Sequence, residues 1–163
     1  MGAKIVVKGE PETTSRPALS VVAAVIWRQV RSGSGSVIEV LVFQRQSADI
    51  GGGSWEFPGG KIDSGETPEQ ALQREIQEEL SVTVRVGQLL GQNRHQYPQA
   101  LIDLSAYHCE PLAANFEQAI QLSEHTAFRW VNFEQIQKLP MSLADVPLVA
   151  PVFKAAEGYF RRG

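Results

Sequence analysis

Glu75, Glu78 and Glu79 stand close together in the run QREIQEEL. In a helix each residue advances about 100°, so the i, i+3, i+4 spacing brings all three carboxylates towards one face. Like charges placed this way repel by roughly a few tenths of a kcal/mol per pair in an isolated helix. Two arrangements relieve them: solvent around an ordinary acidic surface, or a bound divalent cation. Hard cations such as Mg2+ and Mn2+ take carboxylate and carbonyl oxygens, and Gly59 and Gly60, upstream, let a backbone carbonyl approach closely. Magnesium also bridges phosphate oxygens and keeps waters, one of which it can activate as a nucleophile. The chemistry this cluster would serve is metal-assisted attack of water on a phosphate.

Those glutamates need a loop and a helix to present them. Thr67 is a good N-cap, Pro68 suits the first helical position, and EQALQREIQEEL consists almost wholly of helix formers. Leu72, Ile76 and Leu80 recur every four residues as one buried ridge. Just ahead, WEFPGGK reads as a short extended piece that Pro58 keeps from continuing as a regular central strand. Residues 18–28 (ALSVVAAVIWR) and 37–44 (VIEVLVFQ) read as buried strands, with RSGSGS as the hairpin connection. Residues 82–96 and 100–109 alternate apolar and polar side chains around a YPQ turn, and HTAFRWV reads as a further strand. Residues 132–139 are expected to form a short helix and 145–161 a longer one. The irregular alternation predicts an α/β fold: one mixed sheet packed between helices rather than a series of βαβ units. Residues 1–17 are turn-rich and read as a flexible arm, with at most an edge strand from Lys4 to Lys8, ahead of a single domain over 18–163.

Composition narrows the partners. A length of 163 residues with 43% hydrophobic and 20% charged side chains suits one ordinary globular domain with room for a small-ligand pocket. The net charge of -3 provides no broad basic field, so a stable nucleic-acid partner is not expected. Cys109 stands alone, which excludes an internal disulfide and suits a reducing compartment. With no apolar leader and no run near the roughly 20 residues of a membrane span, cytoplasmic residence is expected. Gly60-Lys61 is followed by Ile62 rather than Ser or Thr, so no phosphate-binding Walker loop is present. His95, His108 and His125 lack zinc-ligand spacing with Cys109, itself read as a core residue. Trp55, Phe57 and Tyr97 are expected in the core or lining a pocket, one of them to stack on a base.

Gly60, five residues, Glu66, seven residues and then Arg74-Glu75-Ile76-Gln77-Glu78-Glu79-Leu80-Ser81-Val82 resembles the Nudix box, Gly-x5-Glu-x7-Arg-Glu-U-x-Glu-Glu-x-Gly-U, with U a bulky aliphatic. Ser81 departs from the pattern, standing where the late glycine helps the helix end. The likeness reaches further: WEFPGGKIDSGETPEQALQREIQEEL and LADVPLVAPVF are similar to segments of the MutT-like branch, which includes 8-oxo-dGTP and CTP pyrophosphohydrolases.

The resemblance implies the Nudix α/β/α sandwich, and it implies Mg2+ or Mn2+ held by Gly59 (through its carbonyl), Glu75, Glu78 and Glu79. Arg74 would orient those glutamates by salt bridges, and Glu124, six residues before Trp130, would assist the metal or act as a base. Arg45 would grip phosphates, unless it is a plain surface arginine. Asp145 would read the base, unless it caps the last helix, a role for which Pro147 leaves it equally suited. An ionised Asp145 only accepts; it would satisfy the paired N–H donors of guanine, but would leave N3 of cytosine unmet. The implied activity is conversion of a (deoxy)nucleoside triphosphate, such as 8-oxo-dGTP or a cytosine nucleotide, to the monophosphate and pyrophosphate. Nucleotide sugars, dinucleotides and RNA 5' ends are alternative substrates. A non-catalytic nucleotide-binding module is disfavoured by the intact glutamates. Oligomeric state is not legible.

Overall fold

The structure, a computed structural model, describes residues 16–46 and 52–163. The expected arm, except its last two residues, lies outside the described residues, as does its Lys4–Lys8 strand. The elements are β1 (Leu19–Val25), β2 (Trp27–Ser32), β3 (Gly35–Arg45), β4 (Trp55–Glu56), β5 (Gly59–Lys61), α1 (Pro68–Leu80), β6 (Val84–Gln96), β7 (Leu101–Pro111), α2 (Phe116–Ala119), β8 (His125–Val131), α3 (Phe133–Ile136), a 3-10 turn (Val146–Leu148) and α4 (Val149–Arg162).

Instead of one mixed sheet there are two. The first has the order β5-β1-β7-β6, with β1 and β7 parallel and the other pairs antiparallel. The second is antiparallel throughout, β3 pairing with β2, β4 and β8. Residues 18–28 therefore do not form one strand; the chain changes sheet at Ile26, whose carbonyl still accepts the Leu41 N–H at 2.9 Å. The break left no mark in the sequence because both faces of the segment are buried. Val22, Ala24 and Ile26 pack with Leu41 and Phe43 under Leu72, Ile76 and Leu80 of α1. The alternate residues Ala23, Val25 and Trp27 pack with Val40 and Val42 against Val152, Phe153 and Ala156 of α4. A strand covered on both sides reads as a continuous apolar run, and the α/β/α layering follows directly.

Helix α1 is specified locally. Thr67 Oγ1 accepts the Gln70 N–H at 3.1 Å and the Gln70 side chain accepts the Thr67 N–H at 2.9 Å, closing a capping box. Its ridge is fully buried, worth roughly 1.5–3 kcal/mol for each large side chain. Ser81 ends the helix in the left-handed region at φ 58°, so the turn expected of glycine is kept, at a strain of about 1–2 kcal/mol. The last helix starts four residues later than expected, at Val149 rather than Asp145.

Candidate functional site

A cavity of about 450 Å³ opens beside β1 and β5. Gly59, Gly60, Glu75, Glu79 and Glu124 line it, as do Phe57, Tyr97, Ser142 and Asp145; Arg45, Glu56, Lys61, Asp63 and His125 add to the polar lining. Glycine is required sterically at Gly59, where the obstacle is backbone, whereas at Gly60 the obstacle is the movable end of a side chain. A Cβ at Gly59 would lie 1.9 Å from the backbone oxygen of Val22, and one at Gly60 would lie 2.3 Å from Cδ of Glu75.

Arg74 gathers the carboxylates around α1. It donates to both Glu66 oxygens (2.6 and 2.9 Å), to Glu75 (2.8 Å), to Glu78 (3.4 Å) and to the Lys61 carbonyl (3.1 Å). These bonds hold the Glu66 carboxyl at about 2, well below the usual range. The three box glutamates do not all face the cavity, however. Glu78 lies outside it with a side chain 61% exposed. A three-residue step turns Glu78 about 60° to one side of Glu75 while the four-residue step turns Glu79 about 40° to the other, and Arg74, one turn before Glu78, meets it on that outer flank.

Glu79 is buried, and its Oε2 has no hydrogen-bond partner. Burial first, then the nearby charges of Glu124, Glu75 and Glu56, push its pKa up to about 9. Glu124, distant in sequence, arrives here because Ser123 straps its loop to the end of α1. The Ser123 N–H donates to the Glu79 carbonyl (3.3 Å), and its hydroxyl to the Glu78 and Glu79 carbonyls (3.2 and 3.3 Å). Among the described residues, no three Asp, Glu, His or Cys side chains form a closed ligand set. The donor chemistry nonetheless fits a hard cation: crowded carboxylates, one of them with an orphaned oxygen, beside a glycine backbone.

Arg45, at the end of β3, lines the cavity and reaches Glu56 at 3.3 Å, so it is no plain surface arginine. Glu56 is also bonded by His125 Nε2 at 3.0 Å. Neither Glu56, Lys61 nor His125 was singled out from sequence for this site, although the period of two in WEF and the adjacency of Lys61 to the glycines were visible.

The capping reading of Asp145 is overturned. Its side chain makes no cap bond; Oδ1 accepts the Phe57 N–H at 3.1 Å, and the residue is buried. Burial and the Glu56 charge outweigh the Phe57, Ser142 and Arg45 contacts and raise its pKa to about 8. The ionised carboxylate assumed from sequence is therefore a neutral acid near neutral pH. Of the aromatics, Phe57 and Tyr97 line the cavity, whereas Trp55 belongs to the core. Cys109 is buried in the core, its thiol pushed up to about 12 by burial.

The model of the NUDIX domain family matches residues 19–151. The CTP pyrophosphohydrolase of Escherichia coli (strain K12) is 33% identical over 131 residues, 80% of this chain and 88% of that protein. An 8-oxo-dGTP diphosphatase of Proteus vulgaris is 47% identical over 68 residues, 42% of this chain and 61% of that one. Among solved structures, the solution structure of the E. coli ORF135 protein superposes with a TM-score of 0.66 at 31% identity, covering 84% of this chain and 89% of the other.

Proposed function

The chain belongs to the NUDIX family, as a hydrolase of phosphoanhydride bonds, and from that premise we propose that it converts a nucleoside triphosphate to the monophosphate and pyrophosphate, with a cytosine nucleotide as the favoured substrate. The reading is carried by one observation: the orphaned, buried Glu79 oxygen sits among Glu75 and Glu124 in the same cavity as the buried Asp145.

Glu75, Glu79, Glu124 and the Gly59 carbonyl, with Glu78 at the rim, are the residues that would hold Mg2+ or Mn2+. Such an ion supplies Lewis-acid polarisation of the phosphates and a water of lowered pKa. Arg74 keeps Glu75 turned inward by its 2.8 Å bond. Arg45 and Lys61 bring positive charge to the cavity for the phosphate oxygens. A carboxylate, for which Glu124 is placed by the Ser123 strap, takes the proton as the water oxygen bonds to phosphorus. The anhydride P–O bond between the α- and β-phosphates breaks, and the phosphate group on its far side leaves with the electron pair, which gives the monophosphate and pyrophosphate. No covalent enzyme intermediate is needed.

A neutral Asp145 presents one O–H donor beside one acceptor oxygen. That pair complements N3 and the N4 amino group of cytosine, in keeping with the relative that acts on CTP. The acceptor-and-donor edge of an oxidised guanine, O6 beside N7–H, fits the same pair. This second reading is favoured by the match to the 8-oxo-dGTP diphosphatase.

The test is turnover by purified protein on CTP, dCTP, 8-oxo-dGTP, dGTP, a nucleotide sugar, a dinucleotide and triphosphorylated RNA, with Mg2+, Mn2+ or chelator. The expectation is chelator-sensitive release of pyrophosphate, fastest from a cytosine nucleotide. Binding without turnover would favour the non-catalytic module, and faster cleavage of the sugar, dinucleotide or RNA would remove the triphosphate assignment.

A further inference from the structure

The end of β6 hangs over the loop that carries Asp145. Asn93 Nδ2 donates to the Ala144 carbonyl at 3.0 Å, the Ala144 N–H donates to the Tyr97 hydroxyl at 3.0 Å, and the Tyr97 and Ser142 hydroxyls lie 3.1 Å apart. The Ser142 carbonyl in turn accepts the Asp145 N–H at 2.9 Å. A backbone N–H can only donate, so the Tyr97 oxygen accepts from Ala144, and its hydroxyl shares a proton with that of Ser142. The Phe57 N–H donates to Asp145 Oδ1 at 3.1 Å, and Asp145 lines the same cavity as Tyr97, Ser142 and Ala144.

We propose that Tyr97 is a specificity-determining positioning residue: through Ser142 and the Ala144 backbone, it sets the orientation in which Asp145 meets the nucleotide base. The inference rests on Asp145 reading the base. A purely structural clamp would make a different prediction, since loosening the loop would lower kcat/KM for every substrate alike.

Tyr97→Phe isolates the hydroxyl. The ring keeps its edge contact with His95 (centroids 4.4 Å apart), and the backbone pair between Tyr97 and Ala100 (2.8 and 3.2 Å) is untouched. The experiment measures kcat/KM on CTP, dCTP, 8-oxo-dGTP, dGTP and dATP for wild type, Tyr97→Phe, Ser142→Ala, Asp145→Asn and Tyr97→Phe/Asp145→Asn, each checked for a cooperative melt. Tyr97→Phe should change the ratio between best and worst substrates by about fivefold, the equivalent of one hydrogen bond, and Ser142→Ala should do the same. In the Asp145→Asn background, Tyr97→Phe should change that ratio by less than about twofold, because residues in one network are not additive. A uniform fall across the panel, or an equal effect in both backgrounds, would overturn the proposal. If Asp145→Asn itself leaves the ratios at wild-type values, the base-reading role falls, and this proposal falls with it. If Asp145→Asn shifts the ratios while Tyr97→Phe and Ser142→Ala do not, only the positioning role of Tyr97 is wrong.

Discussion

Replacing Asp145 with Asn should make the protein more stable at neutral pH. In the unfolded chain this carboxyl ionises near its ordinary 3.8; in the fold it holds its proton to about 8. Between those values folding takes up a proton, so the folded state loses stability as pH rises. At about 1.4 kcal/mol per pH unit, the stretch from 3.8 to about pH 7 amounts to about 4 kcal/mol as an upper bound. That stability is fully present below 3.8 and is lost progressively up to about 8. Asn has nearly the same shape, carries no charge at any pH and keeps an acceptor for the Phe57 N–H at the 3.1 Å contact, so it does not suffer this loss. Urea unfolding of wild type and Asp145→Asn, without nucleotide, from about pH 4.5 to 8.5 should show a small gap at the acid end that widens in favour of the variant until about pH 8. A wild type as stable as the variant at about pH 7.5, or a gap that does not change with pH, would refute the reasoning.

Glu79→Gln should lower turnover by two or more orders of magnitude, roughly, in a protein that still melts cooperatively; near-wild-type kcat would remove Glu79 from the proposed metal site. Millimolar Mg2+ should raise the melting temperature of wild type and not of Glu79→Gln, by mass action on the folded state; differential scanning fluorimetry decides it. Gly59→Ala and Gly60→Ala should separate stability from activity. The first drives a Cβ to 1.9 Å from the Val22 backbone oxygen and should cost more than about 3 kcal/mol. The second meets only the movable end of Glu75, at 2.3 Å, and should cost under about 1 kcal/mol while cutting kcat/KM by more than about tenfold. Urea melts and kinetics in the reverse order would contradict the steric argument.

Helix α1 was legible because everything that specifies it is local: a capping box, Pro68 at its start and a four-residue apolar ridge. The sheet break at Ile26 was not, since a strand buried on both faces has no polar beat to interrupt. The carboxylate cluster was read from spacing, but spacing alone did not tell which of its members turns outward; that depends on which flank of α1 the assembled cavity lies against, and Glu78 stands on the other. Asp145 shows a different limit. Aspartate near a proline at a helix start is the ordinary signature of a cap, and only the approach of the Phe57 N–H from another part of the chain reveals that its side chain turns away from the helix. With that came the second misjudgement, its charge, because desolvation belongs to the assembled cavity and not to the residue type.

The two halves of the proposed site are carried by different parts of the chain. The residues proposed for phosphate chemistry sit on α1, on the β5 glycines and on the loop strapped by Ser123, whereas Asp145, proposed to face the base, hangs from the loop before α4, pinned by Asn93 and Tyr97. Glu56 spans the division. It raises the pKa of Glu79 and of Asp145 alike, and it is itself held by Arg45 at 3.3 Å and His125 at 3.0 Å. On the proposed reading, changes in the Asp145 loop retune the base preference without touching the α1 carboxylates. A change at Glu56 acts on both ends of the cavity at once, on the charge state of Asp145 and on that of Glu79.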